Sequence, residues 1–294
     1  MARLSENNVS SSRSSALPMC YNAHMRTITL KGGSEMPVIG LGTSQLKGED
    51  GARAISEAIE VGYRAIDTAE DYGNHDAVAA AMNESAVPRE EFFLTTKIPR
   101  VGLSRESVLE RTKRYLHELQ TEYVDLLLIH WPNRAIPIAE TLGAMEELRA
   151  AGAIRAIGVS NFTERHLEEA LSTGVSVSVN QVEVHPSFNQ KKLVSYCGEK
   201  NIVVTAYAPL GRGKDLQEPL IAELAKKYGV SVPQVILNWI VSRGLTTIPK
   251  SSSRAHMEDN LKALTWAMDP SDIAAIDALP QGERIFNPPT AEFD

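Results

Sequence analysis

Cysteine is nearly missing from this 294-residue chain, which has only Cys20 and Cys197. Two residues so far apart make neither a disulfide framework nor a metal-binding spacing, so the expected setting is a reducing compartment such as the cytoplasm. Each cysteine reads as a buried or bystander residue. Excess positive charge is missing too: 30 Lys and Arg stand against 37 Asp and Glu, a formal net charge of −7. That balance argues against binding a nucleic-acid backbone or an anionic membrane through bulk charge. No apolar run approaches the roughly 18–20 residues that a membrane span needs. Gly40-Leu-Gly42 and Gly211-Arg-Gly213 lack the third glycine and the βαβ setting of a dinucleotide fingerprint, and no P-loop pattern occurs. Clustered zinc-type histidines are also wanting. His117, His166 and His185 show no ligand spacing and read as surface or loop residues, and no metal is expected.

What is present is a 43% hydrophobic chain, long enough for one barrel-sized domain or two smaller ones. Residues 1–25 are Ser-rich with no apolar periodicity and are expected to form a disordered extension. That segment has the Ser- and Arg-rich, acid-poor character of some targeting peptides, while Met25 offers an alternative start. An alternating strand from Met25 to Leu30, a Gly32-Gly33-Ser34 turn and a return strand at Met36-Pro37-Val38 read as a hairpin. Beyond it, short apolar runs alternate with helical patterns. Eight strands are predicted, at 38–43, 64–67, 92–97, 124–130, 154–159, 177–181, 202–207 and 245–248. Between them lie stripes at helical spacing, such as Ala52, Ile55 and Ile59, or Val235, Trp239 and Ile240. Strands that are apolar on both faces and separated by helices pair in parallel. Eight such units predict an α/β fold, a closed (β/α)8 TIM barrel carrying an N-terminal β-hairpin and a C-terminal helix and tail. No low-complexity linker interrupts residues 26–294, which are expected to be one domain. The tail is expected to lie over the barrel mouth.

Active sites of such barrels sit at the C-terminal ends of the strands. Asp67, Lys97 and His130 follow three successive predicted strands, and Tyr72 lies five residues beyond Asp67. A phenol with an ordinary pKa near 10 is a weak acid at neutral pH; an adjacent ammonium lowers that value. Lys97 can supply the ammonium, Asp67 can hold Lys97, and His130 can polarise a carbonyl that Tyr72 protonates as hydride reaches its carbon. Taken singly, Asp67 and Lys97 could be a strand-end salt bridge and His130 a core histidine. Four complementary groups at neighbouring strand ends favour the chemical reading.

Residues 62–74, Thr95-Thr96-Lys97, 125–132 (Asp-Leu-Leu-Leu-Ile-His-Trp-Pro), 158–162, 180–186, 206–211 and 248–252 occur in an order that resembles the aldo-keto reductase family. The resemblance runs from about residue 26 to the C-terminus, and the short loops and ending are similar to those of bacterial 2,5-diketo-D-gluconate and methylglyoxal reductases. It implies NADPH-dependent reduction of a small aldehyde or ketone, with Tyr72 as proton donor, Lys97 and Asp67 as its tuning pair and His130 as the carbonyl-orienting residue. It also implies NADPH (NADP+) extended across the mouth. In that arrangement Asn161 and Gln181 hold the nicotinamide carboxamide with help from Ser160, Tyr207 stacks on the ring, and Leu210 and Gly211 approach the pyrophosphate. Lys250, Ser251, Ser252 and Arg254 gather at the adenosine 2′-phosphate. Lys and Arg beside hydroxyls at a helix start also make a local anion site without the family. Trp131, Ile98 and Tyr63 are the expected pocket residues, and the implied state is a monomer.

Three departures qualify the likeness: His75 replaces the usual Glu, Arg254 stands two residues early with His256 at the matching place, and Ile98 stands where many relatives carry Trp. Two other readings fit the residues: a catalytically weak nicotinamide-binding redox-sensing or structural barrel, and an NAD-linked polyol dehydrogenase.

Overall fold

The computed structural model describes residues 26–293; the expectations for residues 1–25 lie outside them. β1 (Thr27–Thr29) and β2 (Glu35–Pro37) form the expected antiparallel hairpin. Eight parallel strands then follow in sequence order: β3 (Leu41–Gly42), β4 (Ala65–Asp67), β5 (Phe93–Ile98), β6 (Val124–Ile129), β7 (Ile154–Ser160), β8 (Val179–Glu183), β9 (Val203–Tyr207) and β10 (Thr246–Thr247). The first and last meet through parallel bridges, Ile39 with Thr247 and Gly42 with Lys250, so the sheet closes as a (β/α)8 barrel. At this seam a Cβ on Gly42 would lie 2.6 Å from the Ile248 carbonyl oxygen, which is why the position takes glycine.

Side chains alternate along each strand. Ala65, Phe93, Leu126, Leu128, Ala156 and Val179 form an inner cluster that Leu30 and Met36 of the hairpin join. The other faces of the strands, with Leu94, Ile98, Leu127, Ile129 and Ile157 among them, pack against the helical ring. That ring comprises α1 (Gly48–Val61), α2 (His75–Glu84), α3 (Arg105–Glu118), α4 (Ile138–Ala150), α5 (Glu164–Ser172), α6 (Lys191–Glu199), α7 (Pro219–Tyr228), α8 (Val232–Ser242) and α9 (Arg254–Leu261), with α10 (Pro270–Asp277) after it. The predicted stripes left out α2, α5 and α7. α2 buries mostly alanines and His75, too small and too polar a face to stand out as a stripe. β8 runs to Glu183, two residues past its predicted end. No described helix is long and apolar enough to cross a membrane.

After α10 the chain crosses the mouth. Glu183 at the end of β8 accepts the backbone N–H groups of Ile285 and Phe286 at 2.7 and 2.8 Å, and Phe293 packs edge-on against Trp131 at 5.7 Å.

Candidate active site

Above the apolar plug the inward side chains include Asp67, Lys97 and Gln181, and all three are buried. The Lys97 ammonium uses its three donors on Asp67 Oδ1 (2.5 Å), the Thr68 carbonyl (2.9 Å) and the Tyr72 hydroxyl (3.3 Å). Asp67 accepts a further bond on Oδ2 from Gln181 Nε2 at 2.7 Å. Burial alone would lower the Lys97 pKa, but the Asp67 carboxylate and the Tyr72 hydroxyl beside it carry it above the ordinary lysine value. The Tyr72 pKa moves opposite to the sequence expectation. Burial raises it, and the pull of Lys97 does not cancel that, so the phenol stays protonated at neutral pH.

Tyr72 ends the short 3-10 turn Glu70–Tyr72, which Asn74 fastens by accepting from Thr68 Oγ1 and donating to the Thr43 and Leu46 carbonyls. His130 directly follows β6 and meets Tyr72 edge-on, ring centroids 5.9 Å apart. Its Nδ1 lies 3.0 Å from Asp71 Oδ2. Burial lowers the His130 pKa against the opposing effect of Asp71, while Asp71, hydrogen-bonded by His130, is held below the usual carboxylate range.

Tyr72, His130, Trp131 and Asp67 line a cleft of about 640 Å³ together with Pro249 and Lys250, and with Tyr207, Leu210, Arg212, Leu216 and Phe286. Ser160, Asn161 and Gln181 line it too, and the Ser160 hydroxyl, both polar atoms of the Asn161 amide and the Gln181 Nε2 are engaged. Ser160 Oγ donates to the Gln181 carbonyl (2.8 Å), Asn161 Nδ2 to the His130 carbonyl (3.0 Å), and Asn161 Oδ1 accepts from the Tyr207 hydroxyl (2.8 Å). Gln181 acts here as a partner of Asp67.

Several expected positions fall elsewhere. Ile98 faces the helices, because strand alternation turns it away when Lys97 points inward. Tyr63 is fully buried behind the barrel wall and donates to the Met257 carbonyl at 3.2 Å. Gly211 is buried outside the cleft lining, where a Cβ would strike Asp215; its neighbours Leu210, Arg212 and Gly213 reach the cleft. Around the start of α9, Lys250 is exposed and lines the cleft, Ser251 Oγ accepts the Ser253 N–H, and Ser252 is exposed beyond the lining. Arg254 pairs with Glu60 (2.7 Å) and Glu258 (3.1 Å), so the expected phosphate cluster is held apart by carboxylates. His75 is buried between Glu118 (2.7 Å) and Thr96 (2.9 Å) on the outer side of β5.

His166 and His185, read as surface or loop residues, are buried. His166 shares a capping box with Thr163. His185 lies between Glu183 (3.2 Å) and Asp215 (2.6 Å). Residues not anticipated at the site are Asp71, Glu183, Arg212 and Phe293. Strand alternation beyond Gln181 points to Glu183, and Asp71 is a carboxylate adjacent in sequence to the candidate acid.

A planar ring and a phosphate fit this cleft: Tyr207 offers a flat wall in the same lining as Tyr72, and Lys250, which has no ion-pair partner among the described residues, offers a cation. The sequence pattern of the Aldo/keto reductase family matches residues 38–281. The chain is 39% identical over 257 residues to methylglyoxal reductase DkgB of Escherichia coli O157:H7, covering 86% of this chain and 96% of that protein. It is 40% identical over 261 residues to glyoxal reductase of Bacillus subtilis (strain 168), covering 88% and 94%. The crystal structure of a Bombyx mori aldo-keto reductase in complex with NADP superposes with a TM-score of 0.83 at 31% identity, over 89% of this chain and 95% of that one.

Proposed function

The chain belongs to the aldo/keto reductase family and is an oxidoreductase, and on that premise we propose that it reduces small aldehydes or ketones, 2-oxoaldehydes such as methylglyoxal or keto sugar acids such as 2,5-diketo-D-gluconate, with NADPH. The observation that carries this reading is the Lys97 ammonium set between the Asp67 carboxylate and the Tyr72 hydroxyl beneath a cleft that His130 also faces. NADPH, when bound, supplies the hydride. Tyr72 gives its proton to the carbonyl oxygen as negative charge develops there, and Lys97, 3.3 Å away, stabilises the resulting phenolate. Asp67 holds Lys97 in place. His130 orients the carbonyl oxygen toward Tyr72. Tyr207 flanks the nicotinamide, Asn161 and Gln181 exchange their present partners for its carboxamide, and Lys250 meets the phosphate end with Ser251 and Ser252. Trp131 and Phe286 close over the substrate. Residues 26–294 act as one unit, a monomer in the cytoplasm.

One observation favours an NAD-linked polyol dehydrogenase instead: the ion pairs of Arg254 occupy the cation that a 2′-phosphate would need. Steady-state consumption of NADPH and of NADH with methylglyoxal and with 2,5-diketo-D-gluconate decides between them. Faster turnover with NADPH supports the reductase. Turnover with NAD and polyols alone, or tight cofactor binding without turnover, would overturn it.

A further inference from the structure

Asp71 stands next to the candidate proton donor in sequence and across from His130 in space. Its side chain is half-exposed, whereas that of His130 is 13% exposed, and Oδ2 lies 3.0 Å from Nδ1. A carboxylate can only accept a hydrogen bond, so the nitrogen facing it carries the hydrogen. A neutral imidazole has one N–H to place. The other nitrogen, Nε2, has no protein partner among the described residues, and the ring lines the cleft.

Resting on the reading of His130 as the carbonyl-orienting group, we propose that Asp71 is a positioning residue that fixes the His130 hydrogen on Nδ1. Nε2 therefore accepts a hydrogen bond while the ring is neutral and donates one to a carbonyl oxygen only after the ring takes a second proton. A carbonyl oxygen brings no hydrogen, and an alcohol does. The doubly protonated ring thus suits the carbonyl and the neutral ring suits the alcohol, so Asp71 makes the ring a proton-dependent selector between the two.

The charged and titratable groups facing the ring are Asp71 and Tyr72 from the turn, Asp67 from the end of β4 and Lys97 from β5. Arg111 of α3 acts in turn on Asp71. Burial lowers the pKa of the ring and Lys97 lowers it further, while Asp71 and Asp67 oppose them; the net direction is down. The donor form is consequently populated at acidic pH and lost as pH rises through that lowered value.

The test is nitrogen NMR of His130 in the full chain without substrate, at about pH 8 where the ring is neutral, joined to the pH profile of kcat/KM for methylglyoxal. Wild type is expected to show the Nδ1–H tautomer, with kcat/KM falling about tenfold per pH unit above the His130 pKa. Asp71→Ala should release the Nε2–H tautomer and flatten that limb. Asp71→Asn, whose amide oxygen still accepts, should keep the tautomer and move the limb to lower pH. A wild-type Nε2–H tautomer, or an unchanged tautomer in Asp71→Ala, would overturn the proposal. If the wild-type protein turns over no carbonyl, the reductase reading falls, and the tautomer readout still decides whether Asp71 controls His130.

Discussion

The barrel strands line two interiors of opposite character. At the lower end Ala65, Phe93, Leu126, Leu128, Ala156 and Val179 make a dry plug with Leu30 and Met36. Two residues further along β4 and β8, and four further along β5, the inward side chains are a carboxylate, an amide and an ammonium, just as deeply buried. Burying a large apolar side chain stabilises a fold by about 1.5–3 kcal/mol, whereas a buried ion pair repays its desolvation only with full hydrogen bonding. All three Lys97 donors and both Asp67 oxygens have partners. One layer therefore holds the barrel together, and the other keeps charged groups where water cannot weaken them.

If the layers divide the labour in this way, substitutions should separate stability from turnover. The largest effect is expected for Lys97→Met, which strands the Asp67 carboxylate. Unfolding should lose about 3–5 kcal/mol by urea titration, and kcat should fall by about 10²–10⁴. Preserved turnover in that variant would break the comparison. Phe93→Ala, in the plug, should also lose about 3–5 kcal/mol while the folded variant keeps its KM and kcat at low temperature. A changed KM would mean that the lower layer shapes the cleft.

A third, smaller effect belongs to the rim. Burial works against the His185 imidazolium, yet Asp215 and Glu183 outweigh it and raise its pKa above the ordinary histidine value. A raised folded-state pKa gives stabilisation that is complete below the unfolded value near 6.5 and disappears as pH rises through the folded value. The wild-type urea midpoint should therefore fall across that window, and His185→Asn should flatten the fall. Least of all, Arg254→Ala should leave the unfolding midpoint unchanged, since its pairs are exposed. Its effect on NADPH affinity relative to NADH, measured by fluorescence titration, shows whether Arg254 leaves Glu60 and Glu258 for a phosphate.

How far the sequence carried depends on which physical rule each residue obeys. Strand count, parallel order and hairpin follow from apolar runs and turn residues, which are local. Asp67, Lys97 and His130 come together because each sits at the end of a strand or just beyond it, and the barrel rule makes those ends neighbours. Ile98 and Tyr63 were placed in the pocket by closeness in sequence, and alternation and burial behind the wall put them elsewhere. Arg254 illustrates a different limit. Its position at the start of α9 was legible, but its choice of Glu60, 194 residues earlier, depends on how α1 and α9 meet. The direction of the Tyr72 pKa was likewise hidden: the neighbouring charge can be read from the sequence, but the depth of burial that outweighs it cannot.

The most direct test of the account is the rate of hydride transfer in a single turnover of Tyr72→Phe, with NADPH and methylglyoxal, beside its urea unfolding curve. Transfer is predicted to slow by about 10²–10⁴ while the unfolding midpoint stays within that of the wild type or above it, since the lost hydroxyl lies at the cleft and leaves Lys97 with Asp67 and the Thr68 carbonyl. Transfer at the wild-type rate would contradict it, because the proton would then come from another group.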